Sequence, residues 1–347
     1  MAELLGDHTT LRLGGPAQTW VEADSERMLV EAVGAADAAG IPLLVLAGGS
    51  NVVVGDEGFA GTVVHVATRG VVADRDDCDT LAACGGVTLR VAAGEPWDDL
   101  VAQAVASEWA GLEALSGIPG SVGATPIQNV GAYGQEVADT VASVRTWDRR
   151  ARTQRTFPLA ECGFGYRHSR FKAEPDRYVV LEVTFLLRQG TLSAPVRYAE
   201  LARALGVELG QRAPIADVRE AVLALRRGKG MVLDAEDHDT WSAGSFFTNP
   251  VLTAEQAARL PEAAPRWPLA DGTVKTSAAW LIEHAGFTKG YGAGPVGLST
   301  KHTLALTNRG GATAAELLAL AREVRDGVAR EFGVRLVNEP VLLGCSL

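Results

Sequence analysis

Residues 117–137 read GIPGSVGATPIQNVGAYGQEV, and the reading of this stretch decides the rest. Five glycines and two prolines in so short a run exclude a helix or a strand interior, because glycine loses the most backbone freedom on folding and proline lacks the N–H that either ladder needs. The stretch is a shaped loop, and loops of this length inside a compact chain are uncommon unless they bind something. A second glycine turn, Gly48, Gly49, Ser50 and Asn51, follows the apolar run IPLLVL. Backbone N–H groups bared by such turns cradle a pyrophosphate without any basic side chain. The same turns also suit plain tight connections in an α/β fold, and the residues alone leave both readings open.

The segments around the loop place it. Upstream, DSERMLVEAVGAADAAG opens on a capping residue and an acidic turn, carries Leu29, Ala32, Val33 and Ala36 at helical spacing, and stops at Gly40. IPLLVLAGGSNVVV then reads as strand, turn and strand, and VTLRVAAG leads through Pro96 into a helix with Leu100, Val101, Ala104 and Val105 on one face. Downstream, ASVRTWDRR, ARTQRTFPL and RYVVLEVTFLL alternate, the pattern of an antiparallel sheet with one wet face. A polar, irregular passage, RQGTLSAPVRYAELARALGVELGQRAP, precedes the helix IADVREAVLALRRGK, so a domain boundary is expected near residue 210. TAEQ and TAAE are capping-box openings, the second starting a helix with Leu317, Leu320, Ala321, Val324 and Val328 on its buried face.

With 347 residues and 47% hydrophobic content, the chain has material for two or three cored domains. Its net charge of -10 disfavours a general nucleic-acid or anionic-membrane binder, so a phosphate-bearing ligand must meet locally concentrated Arg or Lys. The start, MAELLGDHTTLRLGG, lacks the basic and apolar regions of a secretory signal, and no apolar run approaches a membrane span. A cytoplasmic location is expected. Cys78, Cys84, Cys162 and Cys345 form no CxxC pair or His/Cys cluster, so no metal is expected and the thiols read as reduced, some of them buried.

Generic phosphate motifs fail on context. Gly292, Gly294 and Gly297 match GxGxxG, but Pro295 occupies the turn and KHTLALTN, which follows, reads as a strand rather than a helix. No GxxxxGK[ST] and no GxSxG occurs.

The ordered set LAGGSN (46–51), SGIPGSVGATPIQNVGAYG (116–134), GYRHSRFK (165–172), AGSFFTNP (243–250) and GVRLVNEPVLLG (333–344) resembles the UDP-N-acetylenolpyruvoylglucosamine reductases, FAD-dependent enzymes of bacterial peptidoglycan precursor synthesis. The resemblance runs from about Asp7 to Gly344. It implies an α+β fold: a two-part FAD-binding domain of the vanillyl-alcohol-oxidase type (1–65 and 66–210) and a C-terminal α/β substrate-binding domain (211–347). It assigns the FAD to Gly48, Gly49, Ser50 and Asn51, and to Ser116, Gly117, Ile118, Pro119, Gly120, Gly123, Ala124, Gln128, Asn129, Gly131, Ala132, Tyr133 and Gly134. APVRYAEL around Tyr198 is similar to the substrate-covering loop of the longer family form.

The chemistry that the resemblance implies has two halves. NADPH reduces FAD, and flavin N5 then gives a hydride to the enolpyruvyl group of UDP-N-acetylglucosamine enolpyruvate, forming UDP-N-acetylmuramate. Arg167 and Glu339 match the residues that stabilise the enolate. An arginine suits the task because its charge is permanent and its fork fits a carboxylate, and a glutamic acid kept neutral by a dry pocket can donate to the same oxygen. Ser245 matches the proton donor, a role open to a weak acid because the developing carbanion is a strong base. Tyr133, Tyr198, Arg227, Lys229 and Asn249 match substrate contacts, and a monomer is the expected state. On residue physics alone these positions read as ion pairs, turn residues and caps. A superfamily oxidase, or a silent flavin or sugar-nucleotide binder, would share the glycine turns without needing Arg167, Ser245 and Glu339 together.

Overall fold

The computed structural model describes residues 2–75 and 86–347; Cys78 and Cys84 lie outside them. By internal contacts the chain forms two compact units, one of Thr19–Gly48 and Ala60–Arg227, the other of Met1–Gln18, Gly49–Phe59 and Gly228–Leu347. This division differs from the expected cuts at 65/66 and 210/211. Leu11, Leu13 and Val53 are buried with Phe246, Leu317 and Val324 in one core, so early residues group with the C-terminal ones.

The larger unit is organised by an antiparallel sheet whose strands run in the order Thr153–Pro158, Val141–Asp148, Tyr178–Gln189, Gly86–Ala92 and Val71–Arg75. The alternation read from the sequence is realised in its register: Phe157 faces Val144, Val144 faces Val183, and Val183 faces Val91. All four are fully buried, and each such apolar side chain contributes roughly 1.5–3 kcal/mol when removed from water. The helix Glu26–Ala39 begins where Ser25 accepts from the Met28 N–H and ends at Gly40 with φ 65°, a left-handed conformation without cost for glycine. Its buried stripe of Leu29, Val33 and Ala36 joins the same core as the sheet. Leu43–Leu46 pairs in parallel with Phe59–Val66.

In the other unit, Val341–Leu343 pairs in parallel with Val52–Val54, and Val296–Leu298 pairs antiparallel with Leu306–Asn308. The helix Ala314–Phe332 opens on the Thr313/Glu316 capping box. The Asp56 carboxylate adds to it by accepting from the Ala314 and Ala315 N–H groups at 2.7 and 3.1 Å. The GxGxxG match is explained here without a nucleotide. A Cβ on Gly297 would fall 2.0 Å from Arg309 Nη2, and that guanidinium donates to the carbonyls of Gly290, Gly292 and Leu298. Glycine is needed so that an arginine can lie across the hairpin.

Two local expectations change. The passage read as irregular contains the helix Ala199–Leu205, closed by Gly206 at φ 67°, and KHTLALTN is strand only over Leu306–Asn308. Cys162 is buried, and burial pushes its thiol up to about 11; Cys345 is half-buried. Among the described residues no group of three or more His, Cys, Asp and Glu side chains gathers for a metal, and no helix is long and apolar enough to cross a membrane.

Candidate active site

The long loop is stitched to the segment before the helix Trp97–Ala106. Trp97 N–H donates to Gly120 O and its indole N–H to Leu115 O, both at 3.0 Å. Val122 N–H reaches Glu95 O and Gly123 N–H reaches Ala93 O, both at 2.8 Å. The loop is also not featureless: it contains a 3₁₀ turn at Val122–Ala124 and a small hairpin of Gly131–Ala132 with Gln135–Glu136. Gly48 meets this loop so closely that a Cβ on it would lie 2.7 Å from Gly120 Cα, so the two glycine turns touch backbone to backbone. Gly49 has φ 56°, and a Cβ there would sit 1.9 Å from His8 O.

Ser121, next to Gly120 in the long loop, is 5% exposed and its hydroxyl has no hydrogen-bond partner among the described residues. A buried hydroxyl without a partner costs on the order of 1–3 kcal/mol, and an anionic diphosphate oxygen is an acceptor of the right kind for it. With the Gly48–Gly120 approach, it fits a cofactor cradle built from main chain. Ser116, by contrast, donates its hydroxyl to Glu113 O at 2.7 Å. Asn129 donates its amide to Glu136 Oε2 and Gly165 O at 2.6 and 3.1 Å and accepts from Ala138 N–H at 3.2 Å. These two side chains hold the loop's own shape.

Asn129, Tyr133 and Arg167 all have positive φ, 48°, 50° and 51°. Non-glycine residues in this region store strain that surrounding contacts must hold, and such positions gather at functional sites. Arg167 is held by Nη2 donating to Gly131 O at 2.9 Å and lies 5.5 Å from the Tyr166 ring, while Lys172 Nζ donates to its carbonyl at 3.1 Å. One predicted catalytic side chain is thereby fastened to the predicted cofactor loop.

In the other unit the structure brings Ser245 and Glu339 to neighbouring strands of backbone. Glu339 N–H donates to Phe246 O at 2.8 Å, Thr248 N–H donates to Val337 O at 3.0 Å, and Phe247 bridges Asn338. Phe246 and Phe247 are both 1% exposed and anchor the segment, with half-buried Ser245 beside them. Asn51 donates its amide to Glu339 O at 3.5 Å, linking the first glycine turn to the same place. Asn249 accepts from Ala278 N–H at 2.9 Å, so its carbonyl oxygen serves a helix start.

Tyr198 is 44% exposed and meets Tyr133 edge to face, with centroids 5.4 Å apart. Burial pushes the Tyr133 hydroxyl up to about 12, against the opposing charge of Arg226. Of the cations ending the helix Ile215–Gly228, Arg227 is exposed, whereas Arg226 is the one desolvated, its burial favouring the neutral form. The resemblance points to Arg227 and Lys229 and leaves open which cation of 226–229 would hold a diphosphate. Arg226 lies four residues beyond Val222 and eight beyond Val218, both buried, and so shares their helix face. Lys229 follows the helix and is half-buried.

The model of a family described as FAD binding domain matches residues 17–156, and that of the UDP-N-acetylenolpyruvoylglucosamine reductase C-terminal domain matches residues 236–343. The reductase of that name from Thermobifida fusca is 59% identical over 99% of this chain and 97% of its own. That from Cutibacterium acnes is 58% identical over 98% of this chain and 89% of its own. The crystal structure of the reductase from Thermus caldophilus matches 99% of this chain and 98% of its own with a TM-score of 0.66 at 25% identity. With an FAD-binding module, a reductase C-terminal module and full-length relatives, the chain belongs to the UDP-N-acetylenolpyruvoylglucosamine reductase family and is an FAD-dependent oxidoreductase.

Proposed function

We propose that the chain reduces UDP-N-acetylglucosamine enolpyruvate to UDP-N-acetylmuramate with NADPH as the electron source. The observation that carries this reading is the pairing of the 246–248 segment with 337–339, which sets Ser245 and Glu339 on adjacent backbone. FAD, when bound, supplies the hydride that adds to the terminal carbon of the enolpyruvyl group. Its diphosphate is assigned to the main chain of the two glycine turns and to the Ser121 hydroxyl.

Arg167 and Glu339 are assigned to the substrate carboxylate, where charge builds as the hydride adds. A preorganised donor at such a position is typically worth about 10²–10³ in rate. Ser245 is assigned the proton delivered to the neighbouring carbon, a general-acid contribution of roughly 10²–10⁴. Tyr198, resting on Tyr133, covers the sugar nucleotide; Arg226, Arg227 and Lys229 offer the local cations that its diphosphate needs in an acidic chain, and Asn249 contributes a further polar contact. The test is anaerobic: purified protein is expected to be yellow, to bleach with NADPH and to regain colour on addition of the enolpyruvyl sugar nucleotide. Bleaching followed by recovery only in air points instead to an oxidase, and no bleaching to a silent binder.

A further inference from the structure

We infer that Asp98 is a positioning residue that ties the cofactor loop to the cationic helix Ile215–Gly228, so that one carboxylate sets both FAD affinity and the placement of the helix's arginines. The inference rests on the FAD assignment above. Asp98 Oδ1 accepts from Gly117 N–H at 2.6 Å and from Arg219 Nη1 at 2.7 Å, and Oδ2 accepts from Arg219 Nη2 at 2.9 Å. This two-pronged pairing fixes orientation as well as charge. Arg219 stands two helical turns before Arg226, which desolvation favours in its neutral form, with Tyr133 and then Asp98 acting the other way.

The loop's geometry shows what the carboxylate adds. Trp97 already pins the loop at Leu115 O and Gly120 O; in the arc between them Ser116 bonds back to Glu113 O, and Asp98 holds Gly117, which has φ 70°. Release of that bond frees the arc without unpinning its ends, so the consequence falls on the ligand more than on the fold. Burial alone would raise the Asp98 carboxyl, but the Arg219 pair and the Gly117 N–H bring it below the usual carboxylate value. It is therefore ionised and accepting at neutral pH. Asp99, next in the chain and exposed, shares the helix N-terminus and so controls for any effect of the helix dipole.

The experiment uses full-length Asp98→Ala and Asp99→Ala. FAD affinity of the stripped proteins is read by flavin fluorescence, and KM and kcat for the enolpyruvyl sugar nucleotide are read at saturating FAD. Alanine removes the acceptor altogether, and losing the charged hydrogen bond that holds the loop in its binding shape corresponds to about tenfold in affinity. Asp98→Ala is expected to raise the FAD Kd about tenfold and to raise KM with kcat largely kept, while Asp99→Ala changes neither. An FAD Kd for Asp98→Ala within about twofold of wild type, or an equal loss in Asp99→Ala, overturns the inference. Should Asp98→Ala not fold, Arg219→Gln separates the two duties. It keeps the Gly117 bond, so KM is expected to rise while FAD binding is largely retained, and an unchanged KM overturns the coupling. Wild-type protein that fails to bind FAD would sink the functional assignment itself, a result distinct from either.

Discussion

Gly48→Ala is the substitution whose effect can be worked furthest from the structure. The new Cβ would stand 2.7 Å from Gly120 Cα and 3.1 Å from Gly120 C, where ordinary contact begins at 3.4 Å. Both partners are main chain, so one turn must retreat by about 0.7 Å, the difference between 3.4 and 2.7 Å. Overpacking of this kind costs about 1–3 kcal/mol in stability. The larger effect falls on FAD. A donor at about 2.9 Å that recedes by that amount passes beyond about 3.5 Å and no longer counts as a hydrogen bond. Each lost bond to a charged diphosphate is worth about 1.5–3 kcal/mol, or roughly ten- to a hundredfold in Kd. The assay is FAD titration of stripped protein, with a thermal melt of the same sample. A folded Gly48→Ala variant whose FAD Kd stays within about twofold of wild type would refute the reasoning that these two turns clamp the cofactor.

Ser245→Ala should leave flavin reduction by NADPH intact and slow reoxidation by the enolpyruvyl substrate about 10²-fold or more, read by anaerobic stopped-flow absorbance. Gly34→Ala, inside the helix Glu26–Ala39 with nothing within 4 Å of the new Cβ, should stabilise the protein by roughly 0.5–1 kcal/mol, seen as a raised urea midpoint. The hydrogen bond from Arg145 holds the Glu26 carboxyl below its ordinary 4.5, with burial opposing. A depressed carboxyl contributes stability above pH 4.5 that is lost as pH falls through the folded value. Urea midpoints of Glu26→Gln should therefore decline less than those of wild type between pH 4.5 and acid denaturation.

What could be read from sequence was local. Ser25 and Gly40 bound their helix, and the boxes at Thr253/Gln256 and Thr313/Glu316 form as expected, since each is a contact within a few residues. The alternating strands were legible for the same reason. The helix Ala199–Leu205 was hidden because Tyr198 at its start makes no side-chain cap and the surrounding residues are polar. The family resemblance supplied the proposed roles of Arg167, Ser245 and Glu339, which no spacing rule would have singled out. The work of Asp98 and Glu136 was illegible, because a carboxylate in a helix's first turn or beside a glycine hairpin looks solvated until its partner is known, and Arg219 lies 121 residues away from Asp98. Which of Arg226, Arg227 and Lys229 would meet a diphosphate was not legible, because the three cations crowd together within residues 226–229 at one helix end.

One anaerobic titration tests the proposed reduction most directly. Protein reduced to colourless with a single equivalent of NADPH should regain its yellow absorbance in proportion to added UDP-N-acetylglucosamine enolpyruvate, with UDP-N-acetylmuramate formed mole for mole. Reduced protein that stays colourless under excess of that substrate, and recovers only when oxygen is admitted, would contradict it.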